Sequence, residues 1–223
     1  MVLPLSPERA FFQRSPDLVA PQLLGWELRH GEVAVTIVET EAYLGRRDPA
    51  SHAYSGPTRR NQSMFGDAGC CYIYFSYGMH LCCNVVAHLE GEAGGILLRA
   101  GTVTDGHQLA SQRRGRTSDL ANGPGRLGQA LGLDLSLDGT CLLEGPLRLT
   151  PPRIPVEVER IRSGPRVGIS KAVELPLRFW LADCPDVSRG RPGPATKKRR
   201  WPNGSPGPGG PASRAPPANA RKK

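Results

Sequence analysis

Two carboxylates at the end of an apolar segment are the side chains of this sequence best suited to chemistry. Residues 33–38 read VAVTIV and follow a His-Gly turn signal, which predicts the second strand of a β-hairpin that runs directly into Glu39 and Glu41. Because side chains alternate along a strand, Glu41 and Tyr43 should lie on one face. A carboxylate that leaves water needs a partner or changes its pKa, as catalytic groups often do. Alternatively, the strand surfaces here and both acids are solvated.

An aromatic hairpin is the second candidate feature. Residues 72–88 read YIYFSYGMHLCCNVVAH, in which two apolar or aromatic runs flank a Ser-Tyr-Gly turn. Tyr72 and Tyr74 share a face by the two-residue period, whereas Tyr77 falls at the turn. An exposed aromatic tip suggests insertion into a binding partner. The alternative is that all three rings pack in a core and form hydrogen bonds through their hydroxyl groups.

Six blocks in one order resemble the alkyladenine, or 3-methyladenine, DNA glycosylase family, the mammalian-type methylpurine DNA glycosylases. The blocks are VETEAYLG at 38–45, TRRNQSMF at 58–65, YIYFSYGMHLCCN at 72–84, GILLRA at 95–100, NGPGRLGQALGL at 122–133 and PRVGISKA at 165–172. The resemblance continues through LPLRFWL at 175–181 and covers nearly all of residues 5–188. Collinear blocks with family-like spacing are far more specific than one short motif.

The resemblance implies a monofunctional DNA glycosylase of base excision repair. Such an enzyme turns an alkylated or deaminated purine out of duplex DNA and hydrolyses its N-glycosidic bond, leaving an abasic site. Glu41 matches the family's general base, which activates the attacking water. Arg99 matches a residue that holds this water and the carboxylate, and the carbonyl of Val167 matches a third contact of the water. The resemblance implies neither a metal nor another cofactor.

Further positions match residues that bind the extruded base. Tyr43 and Tyr74 match stacking residues, and His52 matches a residue that contacts the base and packs with these rings. Asn84 occupies the position at which the family disfavours guanine, whose exocyclic amine would meet the asparagine amide. Leu97 is expected to line the cavity. The alternatives are that His52 is an ordinary loop residue, that Asn84 is bonded to neighbouring backbone, and that Leu97 is simply a core residue. Candidate lesions are 3-methyladenine, 7-methylguanine, hypoxanthine and ethenoadenine.

The remaining assignments concern the DNA around the lesion. Tyr77 matches the wedge that fills the gap left in the base stack, and Met64 is expected to flank it unless it is simply a core residue. Arg59, Arg60 and Arg126 are candidate phosphate contacts, or merely solvated surface residues. Arg126, in a Gly-Pro-Gly-Arg turn before a helix, best matches the family pattern.

The positive charge of the chain is concentrated in its last segment. The 223 residues carry a formal net charge of +9, and residues 189–223 contain ten basic residues and no acids, which leaves residues 1–188 at −1. This segment is dense in Pro and Gly and has few apolar residues, so we predict a disordered tail at 189–223 and one catalytic domain at 1–188. The tail departs from the family pattern. It would strengthen non-specific DNA binding by counterion release, or it is a solvated extension without effect.

The elements that must position these residues are strands and short helices. A Ser-Pro-Asp sequence at 15–17, QLASQRRG at 108–115 and PGRLGQALG at 124–132 are typical of helices, and most of the remainder is typical of strands. We therefore expect a single α+β domain with a curved antiparallel sheet, peripheral short helices and a protruding β-hairpin, as the resemblance also implies.

Cysteine usage and hydropathy bear on cofactors and location. Adjacent cysteines in a strand point to opposite faces, so the pairs at 70–71 and 82–83 fit one tetrahedral zinc site poorly. No segment approaches 18 apolar residues, and the first residues lack a basic region followed by an apolar one. We expect a cytoplasmic monomer with reduced thiols that acts on damaged double-stranded DNA and not at a membrane. A non-catalytic nucleic-acid binder and a hydrolase of free nucleosides remain the rival classes.

Overall fold

One antiparallel sheet organises the protein. The computed structural model describes residues 8–189. The strands are β1 (Glu27–His30), β2 (Val33–Tyr43), β3 (Cys71–Ser76), β4 (His80–Val86), β5 (Gly95–Asp105), β6 (Leu147–Thr150), β7 (Ile161–Gly164) and β8 (Arg178–Leu181). They are ordered β3-β4-β5-β2-β1-β6, while β8 pairs with β2 and β7 pairs with β8. The sheet does not close into a barrel, and the predicted single α+β domain is confirmed.

The helices are short and lie at the periphery of the sheet. They are α1 (Pro16–Val19), α2 (His107–Arg114) and α3 (Pro124–Leu131), and 3₁₀ helices occur at Arg9–Phe11, Ala20–Leu23, Gly45–Arg47, Gln62–Phe65, Leu135–Leu137 and Val158–Arg160. All three helix predictions are confirmed. Helices α2 and α3 each end at a glycine in the left-handed region, Gly115 and Gly132, a conformation that glycine adopts without steric cost. In the part of the chain that the structure describes, no helix is long and apolar enough to cross a membrane.

The central strand β2 changes its inward face part of the way along. Ile37 and Val38 are consecutive, yet both belong to the hydrophobic core, because the pairing of β2 with β5 passes over Val38 and forms a β-bulge. Strict alternation continued from Ile37 would turn Glu39 and Glu41 into this core. The bulge turns both carboxylates to the opposite face of the sheet, where the candidate site lies.

Helix α3 packs directly on β4 through a glycine. A Cβ atom at Gly128 would collide with the backbone carbonyl of Leu81, so only hydrogen fits here. Leu127 and Leu131 of the same helix are fully buried in the core. This close approach holds α3 against the hairpin strand. The basic Pro/Gly-rich tail predicted from residue 189 onward lies outside the described residues, except for its first residue.

Substitution of Gly128 tests this packing. We expect Gly128→Ala to lower the free energy of unfolding by about 1–3 kcal/mol, since a backbone carbonyl in a sheet cannot move aside as a side chain can. Gly123→Ala is the matched control, because the extended backbone at this N-cap of α3 (φ 161°) suits any residue and its Cβ would meet only the Arg126 side chain, at an ordinary contact distance of 3.7 Å. Urea unfolding of both variants provides the measurement, and equal midpoints would show that the α3–β4 approach is not tight.

Candidate active site

A row of directly opposed residues crosses five strands at the candidate site, and three of them, Tyr72, Asn84 and Leu97, form the floor of its cavity. Tyr72 of β3 pairs with Asn84 of β4, Asn84 pairs with Leu97 of β5, and Leu97 pairs with Glu41 of β2. Glu41 also pairs with Arg178 of β8. Directly opposed residues of antiparallel strands point to the same side of a sheet. The register therefore places residues that are far apart in the chain side by side on one face.

A cavity of about 650 Å³ lies over this floor. Its walls include the loops between β2 and β3 and between β7 and β8. Most of the predicted site residues line it: Tyr43, His52, Arg60, Met64, Tyr74, Tyr77, Asn84, Leu97, Arg99 and Val167. The fold thus brings together the predicted base-binding residues, the hairpin tip and two of the three residues predicted to be catalytic.

Glu41 lies immediately behind the wall of this cavity. Its side chain is fully buried. The backbone N–H of Val167 donates to Oε1 over 2.7 Å, and the Tyr43 hydroxyl donates to Oε2 over 2.8 Å. A guanidinium nitrogen of Arg99 lies 3.3 Å from Oε1. The expected placement of Glu41 and Tyr43 on one face is confirmed. The alternative prediction, that Glu39 and Glu41 are both solvated, is wrong, because both are fully buried. The N–H of Val167 thus binds Glu41 directly, and the predicted contact of its carbonyl with the attacking water stays a prediction.

Arg99 reaches both carboxylates because it occupies a second bulge. Glu39 pairs with Ala100 and Thr40 pairs with Leu98, so Arg99 is the extra residue of β5. Its Nε donates to Glu39 over 3.0 Å. Burial by itself would lower the pKa of Arg99, but Glu41 and Glu39 outweigh burial and hold this pKa above its ordinary value. The guanidinium is therefore a permanent positive charge between two buried carboxylates.

Glu39 is the centre of a network that the sequence did not reveal. This fully buried carboxylate accepts hydrogen bonds from Arg99, from Arg178 Nε over 2.6 Å, and from the backbone N–H and Oγ of Ser188 over 2.7 and 3.0 Å. The only sequence signal was an arginine at position 178 within the apolar run LPLRFWL. Nothing in the sequence pattern indicated a role for Ser188.

A second buried ion pair supports the opposite side of Glu41. Arg166 is fully buried, pairs with Asp48 and donates to the carbonyl of Ala42 over 2.9 Å. Burial would raise the pKa of Asp48, but Arg166 and two backbone N–H groups keep it below its ordinary value. The guanidinium carbon of Arg166 lies 4.7 Å from the centre of the Tyr43 ring. This pair fixes the segment that carries the Val167 N–H.

Aromatic side chains form one wall of the cavity. The rings of Tyr72 and Tyr74 stack with centroids 5.3 Å apart, and His52 meets Tyr74 edge to face at 4.6 Å. His52 Nδ1 lies 3.0 Å from the hydroxyl oxygen of Tyr72. Burial of its inner side and the nearby Arg60 lower the pKa of His52, so its ring is neutral at pH 7. Burial raises the pKa of Tyr72 to about 12.

Tyr43 stands in the cavity as a protonated phenol. Burial, and then the nearby Glu41 carboxylate, raise the pKa of Tyr43 well above its ordinary value. Its hydroxyl therefore remains a hydrogen-bond donor to Glu41 at neutral pH. The ring presents an aromatic surface to the same cavity as Tyr74 and His52.

The hairpin of β3 and β4 projects its turn into solvent, as predicted. Tyr77 is 84% exposed and adopts a positive φ of 51°. Met79 beside it is also exposed. Met64, expected to flank Tyr77, is instead buried and packs with Tyr72 and Val86. Met64 thus contributes to the cavity wall and not to the exposed tip.

Asn84 forms the bond to neighbouring backbone that was considered as an alternative, and it also faces the cavity. It lines the cavity, and its Nδ2 donates to the backbone carbonyl of Tyr72 over 3.1 Å. Because a carbonyl can only accept, this bond fixes which way the amide points.

The three predicted phosphate contacts lie in different places. Arg60 lines the main cavity and lies 5.8 Å from the centre of the Tyr74 ring. Arg59 is exposed and does not line the cavity. Arg126 lines a neighbouring cleft of about 270 Å³, where its guanidinium donates to Asn122 over 2.6 Å. Arg99 lies between the two cavities, since it lines both.

Neither metal-binding clusters nor disulfides occur in the part of the chain that the structure describes. Within residues 8–189, no three His, Cys, Asp or Glu side chains are grouped so as to hold a metal ion. The cysteines at 70, 71, 82, 83, 141 and 184 are free thiols. The groups gathered at the cavity include a buried carboxylate, its cationic and hydroxyl partners, and aromatic rings.

Comparison with known proteins agrees with this geometry. Residues 10–185 match the family described as methylpurine-DNA glycosylase (MPG). A protein of Corynebacterium glutamicum is 49% identical over 186 residues, which cover 81% of this chain and 97% of the relative. A protein of Methanoculleus marisnigri is 49% identical over 188 residues, which cover 81% of this chain and 97% of the relative. One of Frankia casuarinae is 48% identical over 194 residues, covering 82% and 92%.

All three relatives carry the name "Putative 3-methyladenine DNA glycosylase". The matched region contains every residue predicted from the sequence to act in the site. It also contains the two buried ion pairs near Glu41, Arg99–Glu39 and Arg166–Asp48. Ser188, which donates to Glu39, lies outside the matched region. The chain therefore belongs to the methylpurine-DNA glycosylase family, whose members are hydrolases of N-glycosyl bonds.

Proposed function

We propose that the protein removes alkylated or deaminated purines from double-stranded DNA by turning the damaged nucleotide into the main cavity and hydrolysing its N-glycosidic bond with water. The observation that carries this proposal is a fully buried carboxylate, Glu41, directly behind an aromatic cavity and held by Val167, Tyr43 and Arg99. The products would be a free base and an abasic site in an intact strand. No cofactor has a part in this reaction.

In this proposal Glu41 is the general base. A water molecule bound near Glu41 and Arg99 attacks the anomeric carbon as the bond to the base breaks, and Glu41 accepts its proton. The sugar passes through an oxocarbenium-like state, whose positive charge a nearby carboxylate stabilises. Tyr43 and the Val167 N–H hold the carboxylate in place before the nucleotide enters. The reaction then needs little reorganisation of the site.

The aromatic wall is proposed to hold the extruded base. Tyr43, Tyr74 and His52 all line the cavity and offer ring faces or edges to a planar purine. Purine nucleotides methylated at N3 or N7 carry a positive charge, which aromatic faces attract. The lowered pKa of His52 is relevant here, because a neutral imidazole does not repel such a base. Neutral lesions such as hypoxanthine would bind by stacking and hydrogen bonding.

Asn84 is proposed to discriminate against normal guanine. Leu97 is proposed to line the floor of the cavity beside Asn84. The bond from Asn84 to the backbone carbonyl of Tyr72 holds the side chain rigid. A rigid side chain can exclude an extra substituent on the base, which penalises an abundant undamaged purine. Damaged or mismatched bases are also less costly to unstack.

The exposed hairpin tip is proposed to enter the duplex. Tyr77 would fill the gap that the extruded nucleotide leaves, as inserted side chains do in other DNA complexes. Arg59, Arg60 and Arg126 would contact phosphates around it, and the basic residues beyond 188 would add non-specific attraction that weakens with salt.

Two rival functions explain less of the structure. A hydrolase of free nucleosides has no use for an exposed Tyr77 at the tip of a projecting hairpin. A non-catalytic DNA binder has no use for a buried carboxylate held directly behind its binding cavity. The combination of Glu41 with the hairpin favours an enzyme that acts on duplex DNA.

The first test is the variant Glu41→Gln. We expect it to bind a duplex containing one hypoxanthine as the wild type does, but to release the base about 10²–10⁴-fold more slowly, because an amide cannot accept the proton of the water. Single-turnover base release and a gel-shift titration measure the two effects. Glu92→Gln, the same change in an exposed ion pair with Arg47, is the matched control. Wild-type release rates in Glu41→Gln would remove Glu41 as the base.

The second test is the variant Glu39→Gln. The change removes the charge that holds Arg99 and Arg178, so Arg99 should lose its fixed position and single-turnover release should slow by up to about 100-fold. The free energy of unfolding should also fall, by about 3–5 kcal/mol, because the buried Arg99 and the partly buried Arg178 both lose an ion-pair partner. Excision must therefore be measured well below the melting temperature of the variant. A normal rate in the folded variant would show that Arg99 does not depend on Glu39.

A further inference from the structure

Two cysteines face each other at the edge of the sheet, away from the proposed site. Cys70, immediately before β3, and Cys141, between the 3₁₀ helix at Leu135–Leu137 and β6, form an isolated antiparallel β-bridge. Both are free thiols, and both side chains are partly exposed to solvent. None of the residues proposed to act on DNA belongs to this bridge. The pair therefore requires a separate account.

The hydrogen bonds around the bridge define its geometry. Cys71 N–H donates to the carbonyl of Thr140 over 2.9 Å, and Leu142 N–H donates to the carbonyl of Gly69 over 3.0 Å. These bonds flank the cysteine pair, which is therefore a non-hydrogen-bonded pair of an antiparallel ladder. Such pairs have Cα atoms about 4.5 Å apart and side chains on one side of the sheet. A disulfide spans Cα separations of about 4.4–6.8 Å, so this geometry accommodates one.

Arg9 lies beside the two sulfur atoms. One of its guanidinium nitrogens donates to the carbonyl of Ala68 over 2.8 Å, and the other lies 4.0 Å from the Sγ of Cys141. Burial raises the pKa of the Cys70 thiol above its ordinary value, and the hydrogen bond and positive charge of Arg9 offset only part of this rise. A guanidinium next to a thiol stabilises the thiolate, which is the reactive form in disulfide exchange.

The other cysteines lack this combination. Cys71 is buried, and its thiol donates to the carbonyl of Leu137 over 2.8 Å. Cys82 and Cys83 are buried neighbours in β4. Cys184 is partly exposed but lies near Thr102. Among the described cysteines, the pair at 70 and 141 unites an opposed partner, solvent access and an adjacent cation.

We propose that Cys70 and Cys141 are a site of reversible oxidation, at which a small-molecule disulfide such as oxidised glutathione closes a disulfide across the bridge. One cysteine thiolate attacks a sulfur of the small disulfide, whose S–S bond breaks and releases one thiolate. The second cysteine thiolate then attacks the protein sulfur of the mixed disulfide and releases the second. The protein loses two hydrogen atoms, and the small disulfide becomes two thiols.

The bond would join the outer edge of β3 to the segment that leads into β6. It would close a long loop in the unfolded chain, which lowers the entropy of that state and raises stability. Tyr72 and Tyr74 follow in the same strand, and the paired backbone there need not move for the bond to form. We therefore expect oxidation to raise the melting temperature and to leave base release unchanged. The proposal is independent of the proposed function.

The experiment uses the full chain, first reduced and then incubated with oxidised glutathione. Intact mass should fall by the mass of two hydrogens, and a chymotryptic digest without reductant should join the peptides that carry Cys70 and Cys141. Dithiothreitol should restore the mass and lower the melting temperature again. Cys70→Ser and Cys141→Ser should each keep a stable glutathione adduct instead, while the control Cys184→Ser should behave as the wild type. A disulfide that joins other cysteines, or its persistence in Cys141→Ser, would overturn the proposal, as would the absence of any disulfide.

Discussion

The interaction on which the rest of the site depends is the pairing of two buried carboxylates, Glu39 and Glu41, with the guanidinium of Arg99. A buried charge without partners is very unfavourable, so each carboxylate must be matched by donors from distant parts of the chain. For Glu39 these come from β5, β8 and Ser188, and for Glu41 from β2, β5 and the segment after β7. The carboxylates are therefore fully matched only when β2, β5, β8 and the segment after β7 have assembled.

Two β-bulges make this pairing geometrically possible. The bulge at Val38 turns the carboxylates away from the hydrocarbon core, and the bulge at Arg99 places a guanidinium between them. Strand β2 pairs with β1 in its first half and with β8 beside Glu39 and Glu41, so the donors of β8 arrive where they are needed. The same sheet face carries Asn84 and Leu97, which joins the reactive carboxylate to the floor of the cavity. The proposed reaction at Glu41 and the proposed binding of the base thus both depend on how β2, β5 and β4 are paired.

Short-range patterns in the sequence predicted much of this arrangement. The spacing of two residues placed Tyr43 beside Glu41, and a turn signal placed Tyr77 at an exposed tip. Long-range contacts were not predictable in this way, because Arg178 and Ser188 meet Glu39 across 139 and 149 positions of the chain. Nothing in VAVTIV distinguishes a strand with a bulge at Val38 from a regular one. For the same reason, the alternation pattern did not reveal which face the carboxylates would take.

The central claim is that water, directed by Glu41, displaces the base. Lys171 lines the same cavity, and an amine there would offer a different nucleophile that forms a covalent imine with the sugar. The most direct measurement is excision of hypoxanthine from a duplex in the presence of borohydride, which traps any such adduct. The account predicts release of the base with an intact strand and no trapped protein–DNA complex. A trapped complex that disappears in Lys171→Gln would contradict it.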